Sequence, residues 1–257
     1  MFSAIILDLD GTVYRGTEAV PGAAGFVRRA TANGVRCLFV TNRANRTPEE
    51  VAAQISGFSI PCAPNDVLTS AQATAAFLES DSGGSGSAHV LGGPGLRQAL
   101  EQRGIGITDD SPEYVVVSYD PDLTYRKLTV ACRLILAGAR FIATNPDRII
   151  NTELGDLPGT GAIVAAVREA TRVEPVMIGK PEPLIMETAA ARLGLRTGQI
   201  LAVGDNLETD IPAGVRAGMR TALILTGVST RDEAERAPVI PDHIVTGYDE
   251  LTRLLGF

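Results

Sequence analysis

Two aspartates, Asp8 and Asp10, stand in the phrase LDLDGT at the end of an unbroken apolar run. Three other polar signals share that placement. Thr41 and Asn42 close FVTN, Lys180 closes VMIGK, and Asp205 closes ILAVGD with Asp210 five residues on. In an open parallel sheet, ligands bind outside the carboxyl ends of the strands, so four such runs converge on one pocket if their strands are neighbours. The residue types then define the chemistry. Clustered carboxylates suit Mg²⁺, a hard cation that prefers oxygen ligands. The Thr41 hydroxyl, the Lys180 ammonium and the N–H groups of the Gly11–Thr12 turn are donors. Donors, a lysine and a metal around one point describe a phosphoryl group in transfer. A carboxylate can itself be the nucleophile.

Each signal taken singly has a plainer reading. DxDGT suits a strand followed by an Asx turn, GK before Pro suits a strand end before a helix, and Thr209 or Asp210 suits a helix cap. Their joint occurrence at strand ends argues against four coincidences.

The elements that must position these residues alternate. Apolar runs at Ser3–Leu9, Val35–Val40, Ala88–Leu91, Tyr114–Ser118, Arg140–Thr144, Val176–Ile178, Gln199–Val203, Thr221–Leu225 and His243–Val245 read as strands. Helical patterns between them cover Gly22–Ala32, the segment begun by Thr47-Pro48, Ser70–Leu78, Tyr125–Leu136, Gly161–Thr171, Pro183–Leu193 and Ile211–Ala217. Thr47, Pro48 and Glu50 fit a capping box with proline at the first helical position. Such alternation with near-continuous apolar strands predicts an α/β fold whose parallel sheet is covered on both faces. The Gly/Ser stretch Ser80–Ser87 reads as a flexible connector, and Pro175 marks a second break. The expected organisation is a domain built from both chain ends, 1–80 plus 174–257, with residues 81–173 inserted as a second domain.

Composition narrows the function classes. The 257 residues are 45% hydrophobic and 21% charged, which is ordinary globular usage. Thirty acidic against 23 basic side chains give a net charge of -7. That balance has no electrostatic footprint for nucleic acid or an anionic membrane, so neither is an expected partner. The three cysteines (Cys37, Cys62, Cys132) are widely spaced, which argues for a reducing compartment. The only histidines, His89 and His243, nearly exclude a His-rich zinc site and read as surface or strand-end residues. No apolar run reaches the roughly 20 residues of a membrane span. The opening MFSAIILDLDG lacks a basic n-region and reads as a strand, so a cytoplasmic location is expected. The GGPG of Gly92–Gly95 lacks dinucleotide-fingerprint spacing, and no Walker A phrase occurs.

DLDGT, the strand-terminal Thr41, Lys180 in GKPEP, and GDNLETD together resemble the four motifs of the haloacid dehalogenase superfamily of phosphatases. The insertion lies between the second and third motifs. It is similar in placement to that of the subgroup with a large α/β cap, the NagD-like and p-nitrophenylphosphatase-like enzymes. FIATNPD, PGTGAI and LTGVST fit that subgroup as well. The resemblance covers essentially the whole chain. It implies a Rossmann-like, doubly wound parallel-sheet core with an inserted α/β cap that governs substrate specificity.

It also implies roles. Asp8 is the expected nucleophile, and Asp10 the acid that protonates the leaving oxygen and then the base that activates water. Mg²⁺ is expected on the Asp8 carboxylate, the Asp10 main-chain carbonyl and Asp205, with Asp210 supporting that site from behind and Thr12 orienting the Asp10 turn. Thr41, Asn42, Lys180 and Gly11 are the expected phosphate binders. Where some relatives read TNN this chain reads TNR, which places Arg43 near the pocket mouth; Asn145 and Asp147 are expected to touch the leaving group. The implied activity is Mg²⁺-dependent hydrolysis of a small phosphorylated metabolite through an aspartyl phosphate, the substrate being a nucleoside monophosphate, a sugar phosphate, or a polyol or acid phosphate. A phosphomutase of the same superfamily and a non-catalytic phosphate-binding or signalling module are the rivals, and a homodimer is left open.

Overall fold

The structure is a computed structural model that describes residues 2–152 and 155–257. The four residues Ala4–Leu7 are all buried, as an apolar run must be when both of its sheet faces are covered. This strand lies inside a six-stranded sheet. It pairs in parallel with Arg36–Thr41 on one side and Ile200–Gly204 on the other. Arg220–Ile224 and His243–Val245 extend the sheet beyond Ile200–Gly204, and Val67–Thr69 extends it beyond Arg36–Thr41. The chain therefore winds outward in both directions from the Ala4–Leu7 strand, which makes its carboxyl end a topological switch point.

One face of this sheet is sealed by a large apolar cluster that includes Leu7, Phe26, Phe39, Ile55, Tyr248 and Leu251. Phe26 and Tyr248 meet with ring centroids 5.1 Å apart, joining the helices Ala23–Ala32 and Tyr248–Leu255. Ile211, Leu223 and Ala234 form a separate small cluster.

The chain divides into two compact units. One comprises Met1–Thr41, Pro48–Leu68 and Lys180–Phe257, and the other Asn42–Thr47 and Thr69–Gly179. The second unit carries its own five-stranded sheet, in the order Val176–Met177, Arg140–Ala143, Tyr114–Val117, Ser87–Leu91, Gly106–Ile107. All of its pairings are parallel. Its apolar cluster brings Val115, Val117 and Phe141 of the strands against Ile135 and Val167 of two helices. Ile149–Thr152 and Gly155–Pro158 add a separate antiparallel pair.

Three details depart from the sequence pattern. The run at Val176–Ile178 joins the second sheet, at its edge beside Arg140–Ala143. Residues 69–80 and 174–179 group with the second unit, and Ser80–Ser87 lies within it. The reason is local: the helix Ser70–Asp81 runs into that stretch, and its last carboxylate, Asp81, accepts from the Tyr114 hydroxyl and pairs with Arg140. His89 is no surface residue. It is 7% exposed, and its Nδ1 lies 2.7 Å from Asp109 Oδ1. Among the described residues, no helix is long and apolar enough to cross a membrane.

Candidate active site

Register sets the first unit's polar ends side by side. Leu7 pairs with Phe39 and with Val203, so Asp8, Thr41 and Asp205 leave the sheet at the same edge. Beyond Asp8 the chain folds into a tight loop in which the Leu9 carbonyl accepts from the N–H groups of Thr12, Val13 and Tyr14 at 2.8–3.2 Å. Gly11 takes φ +86°, a conformation L side chains rarely adopt. Its N–H is bound to the Tyr14 carbonyl at 2.7 Å, and its carbonyl accepts from Thr226 Oγ1 at 2.7 Å. The loop is anchored from a distant helix as well, because the buried Tyr248 hydroxyl donates to the Thr12 carbonyl at 2.9 Å.

Three carboxylates, Asp8, Asp205 and Asp210, present oxygens within 4.8 Å of one another. Lys180 stands among them, 3% exposed, donating to Asp210 at 2.6 Å and also to Asp8. Asp205 is held by two donors, Thr12 Oγ1 at 3.2 Å and the Val228 N–H at 2.7 Å. Asp210 accepts from the Asn206 N–H at 3.1 Å and opens the helix Asp210–Arg216.

Burial and the neighbouring Asp210 charge raise the Asp8 carboxyl well above the usual carboxylate range, although Lys180 opposes this. Burial and then Asp210 push Asp205 up to about 6, against the pull of the Val228 N–H, Lys180 and Thr12. Burial alone would lower Lys180, but Asp210 and Asp8 outweigh it and hold the ammonium charged.

Three carboxylates set against one ammonium leave an excess of negative charge on hard oxygen donors. That donor set fits a divalent hard cation such as Mg²⁺. Asp210, expected behind the metal, has its carboxylate within the cluster. Asp10 is half-buried and forms a backbone bridge with Tyr14; its carboxylate is not one of the three.

The remaining candidates lie in the second unit. The Asn42 side chain donates to Asp147 Oδ1 at 3.1 Å, and its carbonyl accepts from Asn145 Nδ2 at 2.8 Å. Asn145 is 4% exposed, while Arg43 and Asp147 are half-buried.

The sequence pattern gives no role to Thr226, Gly227, Val228 or Tyr248, although LTGVST is one of the phrases that fit the resemblance. A Cβ on Gly227 would fall on the Asp205 carboxylate, at 2.6 Å from its Cβ, so only glycine lets the loop close over that aspartate. The glycine inside LTGVST was the available signal. Tyr248 had none, because its partner is 236 residues away.

Comparison with known proteins finds relatives along nearly the whole chain. Residues 5–106 match the family of haloacid dehalogenase-like hydrolases, and residues 177–251 match a second, HAD-hydrolase-like family. The chain is 42% identical over 256 residues to the 5'-nucleotidase YutF of Bacillus subtilis (strain 168), covering 100% of this chain and 98% of that protein. It is 42% identical to the acid sugar phosphatase of Staphylococcus aureus (strain MRSA252), covering 94% and 93%. The solved p-nitrophenyl phosphatase from Archaeoglobus fulgidus superposes with a TM-score of 0.92 at 32% identity, covering 98% of this chain and 99% of that one.

Proposed function

The chain belongs to the haloacid dehalogenase-like hydrolases, and from that premise we propose that it is a Mg²⁺-dependent phosphatase that cleaves small phosphomonoesters through an aspartyl phosphate on Asp8. The observation that carries this reading is the grouping of the buried Asp205 and Asp210 with the half-buried Asp8 around Lys180. The names of the relatives support the substrate class, since they act on a nucleotide, an acid sugar phosphate and a nitrophenyl ester.

In this mechanism an Asp8 carboxylate oxygen attacks phosphorus, and the bond from phosphorus to the ester oxygen breaks. Asp10 delivers its proton to that oxygen, which departs as an alcohol. Asp10 then takes a proton from water as the water oxygen attacks the phosphorus of the acyl phosphate. Inorganic phosphate leaves and the Asp8 carboxylate is restored. Lys180 and Thr41 offer positive charge and a donor to the transferring group, with Asn42 following Thr41 in the chain, while the Gly11 and Thr12 N–H groups are bound to the Tyr14 and Leu9 carbonyls inside the loop. Asp8, Asp205, the Asp10 carbonyl and the adjacent Asp210 are the groups that would hold the cation. When bound, Mg²⁺ supplies charge neutralisation for carboxylates and phosphate oxygens. Choice among leaving groups is assigned to the inserted unit, which carries neither Asp8 nor Lys180 nor Asp205.

The test is release of inorganic phosphate from a panel of nucleoside, sugar, polyol and nitrophenyl esters, with Mg²⁺ and with chelator. Turnover should require Mg²⁺. Asp8→Asn should abolish both turnover and the labelled phosphoenzyme, and Asp10→Asn should slow turnover by about a hundred- to ten-thousand-fold. Retained activity in Asp8→Asn would end the covalent reading. Transfer to a second sugar hydroxyl without phosphate release would favour the mutase.

A further inference from the structure

The chain passes between the two units four times, first between Thr41 and Asn42 and last between Gly179 and Lys180. Thr41 and Lys180, the two proposed phosphoryl binders, are thus each one peptide bond from a crossing. Inside the second unit, the residues just past these crossings are tied together by the end of the Arg140–Ala143 strand. The Asn42 carbonyl accepts from Ser70 Oγ at 2.5 Å and from Asn145 Nδ2 at 2.8 Å. The Asn42 amide donates to Asp147 Oδ1 at 3.1 Å, and Asp147 is itself oriented by its N–H on Asn145 Oδ1 at 3.2 Å. On the return side, the Gly179 N–H donates to the Thr144 carbonyl at 2.9 Å.

The packing leaves no slack. A Cβ at Gly179 would sit 2.6 Å from both Asn42 Oδ1 and the Thr144 carbonyl, and 3.1 Å from the Asn145 Cβ. Ser70 and Thr144 are fully buried, and Asn145 nearly so. Both ends of the Asn145 amide are engaged within this knot. A buried, satisfied polar network of this kind holds its members to one arrangement.

We propose that Asn145 and Asp147 are positioning residues: by fixing Asn42 beside Gly179 they fix the chain on which Thr41 and Lys180 are carried. The proposal rests on the phosphatase reading above. Displacement of a transition-state-binding group by about 1 Å costs on the order of a hundred-fold in rate. Such a loss falls on the phosphoryl group that every ester shares.

The experiment compares Asn145→Ala, Asp147→Ala and Asp147→Asn with wild type. It reads kcat and KM per folded enzyme for nitrophenyl, nucleoside and sugar phosphates, together with inhibition by inorganic phosphate. Asn145→Ala and Asp147→Ala should lower kcat/KM by about ten- to a hundred-fold on all esters alike. They should weaken phosphate inhibition in parallel, an effect that lost stability alone does not produce. Asp147→Asn keeps an acceptor oxygen for the Asn42 amide and should recover most of the activity. If Asn145→Ala does not fold, the half-buried Asp147 pair decides the matter. A loss confined to some esters, an unchanged phosphate affinity, or an Asp147→Asn as poor as the alanine variant overturns the proposal. An active Asp8→Asn overturns the phosphatase reading instead, so the two failures are distinguishable.

Discussion

Lys180 shows how much one side chain carries in this site. It is the one cation paired with the half-buried Asp8 and the buried Asp210 among the described residues. Its removal strands two carboxylates without their partner, a change that typically destabilises by about 3–5 kcal/mol when a buried pair is broken. It also deletes a charge that stabilises the transferring phosphoryl group. Lys180→Ala is therefore expected to lose activity on every ester by similar factors, and to lower Tm in chelator. The check is kcat/KM over the ester panel beside thermal melts; a loss restricted to certain esters would place Lys180 on the leaving group instead.

Among the elements, the loop after the Arg220–Ile224 strand has the clearest task. It brings the Val228 N–H to Asp205 and Thr226 Oγ1 to the Gly11 carbonyl, so one loop braces both the metal-ligand candidate and the turn that carries Asp10. Val228 is 73% exposed, so the loop contributes little to the core. Gly227→Ala should drive the buried Asp205 out of place and break its bonds to Thr12 and Val228, lowering stability by about 1–3 kcal/mol as well as metal affinity. Loss of such supporting contacts typically weakens metal affinity by about ten- to a hundred-fold. A Mg²⁺ titration followed by activity and by thermal shift reads this out. An unchanged Mg²⁺ midpoint would show that the loop yields to the methyl group at no functional cost.

For the molecule as a whole, the buried carboxylates make stability depend on pH and on the cation. Asp205, raised to about 6, has a folded-state pKa above its unfolded value. Its contribution is thus full below the unfolded pKa and is lost as pH rises through about 6. Asp8 is raised as well and acts in the same direction. Mg²⁺ requires the ionised carboxylates, so it should restore stability most where the protons are gone. Below the Asp205 pKa of about 6, one competing proton weakens binding by up to about tenfold per pH unit. The Mg²⁺-induced rise in Tm should be small near about pH 5 and large near about pH 7.5. Melting curves at matched ionic strength across that range check it, and a pH-independent Mg²⁺ effect would contradict the buried-carboxylate origin.

What the amino-acid sequence determined by itself was the set of strand ends and the chemistry placed on them. Side-chain alternation is absent from runs such as Ala4–Leu7 because both faces are buried, so a parallel sheet was legible, and a polar residue ending such a run has only the sheet edge to occupy. Asp8, Thr41 and Asp205 followed from that logic. The tertiary structure decided which sheet received the short run before Lys180. Val176–Met177 is too short to specify its own partner, and Arg140–Ala143 supplies it. It also decided that Asn145 and Asp147 engage Asn42, and that Tyr248 braces Thr12. Those contacts join residues 103, 105 and 236 positions apart, where neither spacing nor periodicity carries a signal. The packing of whole elements brings them together, and the requirement that buried polar groups be bonded then selects the partners.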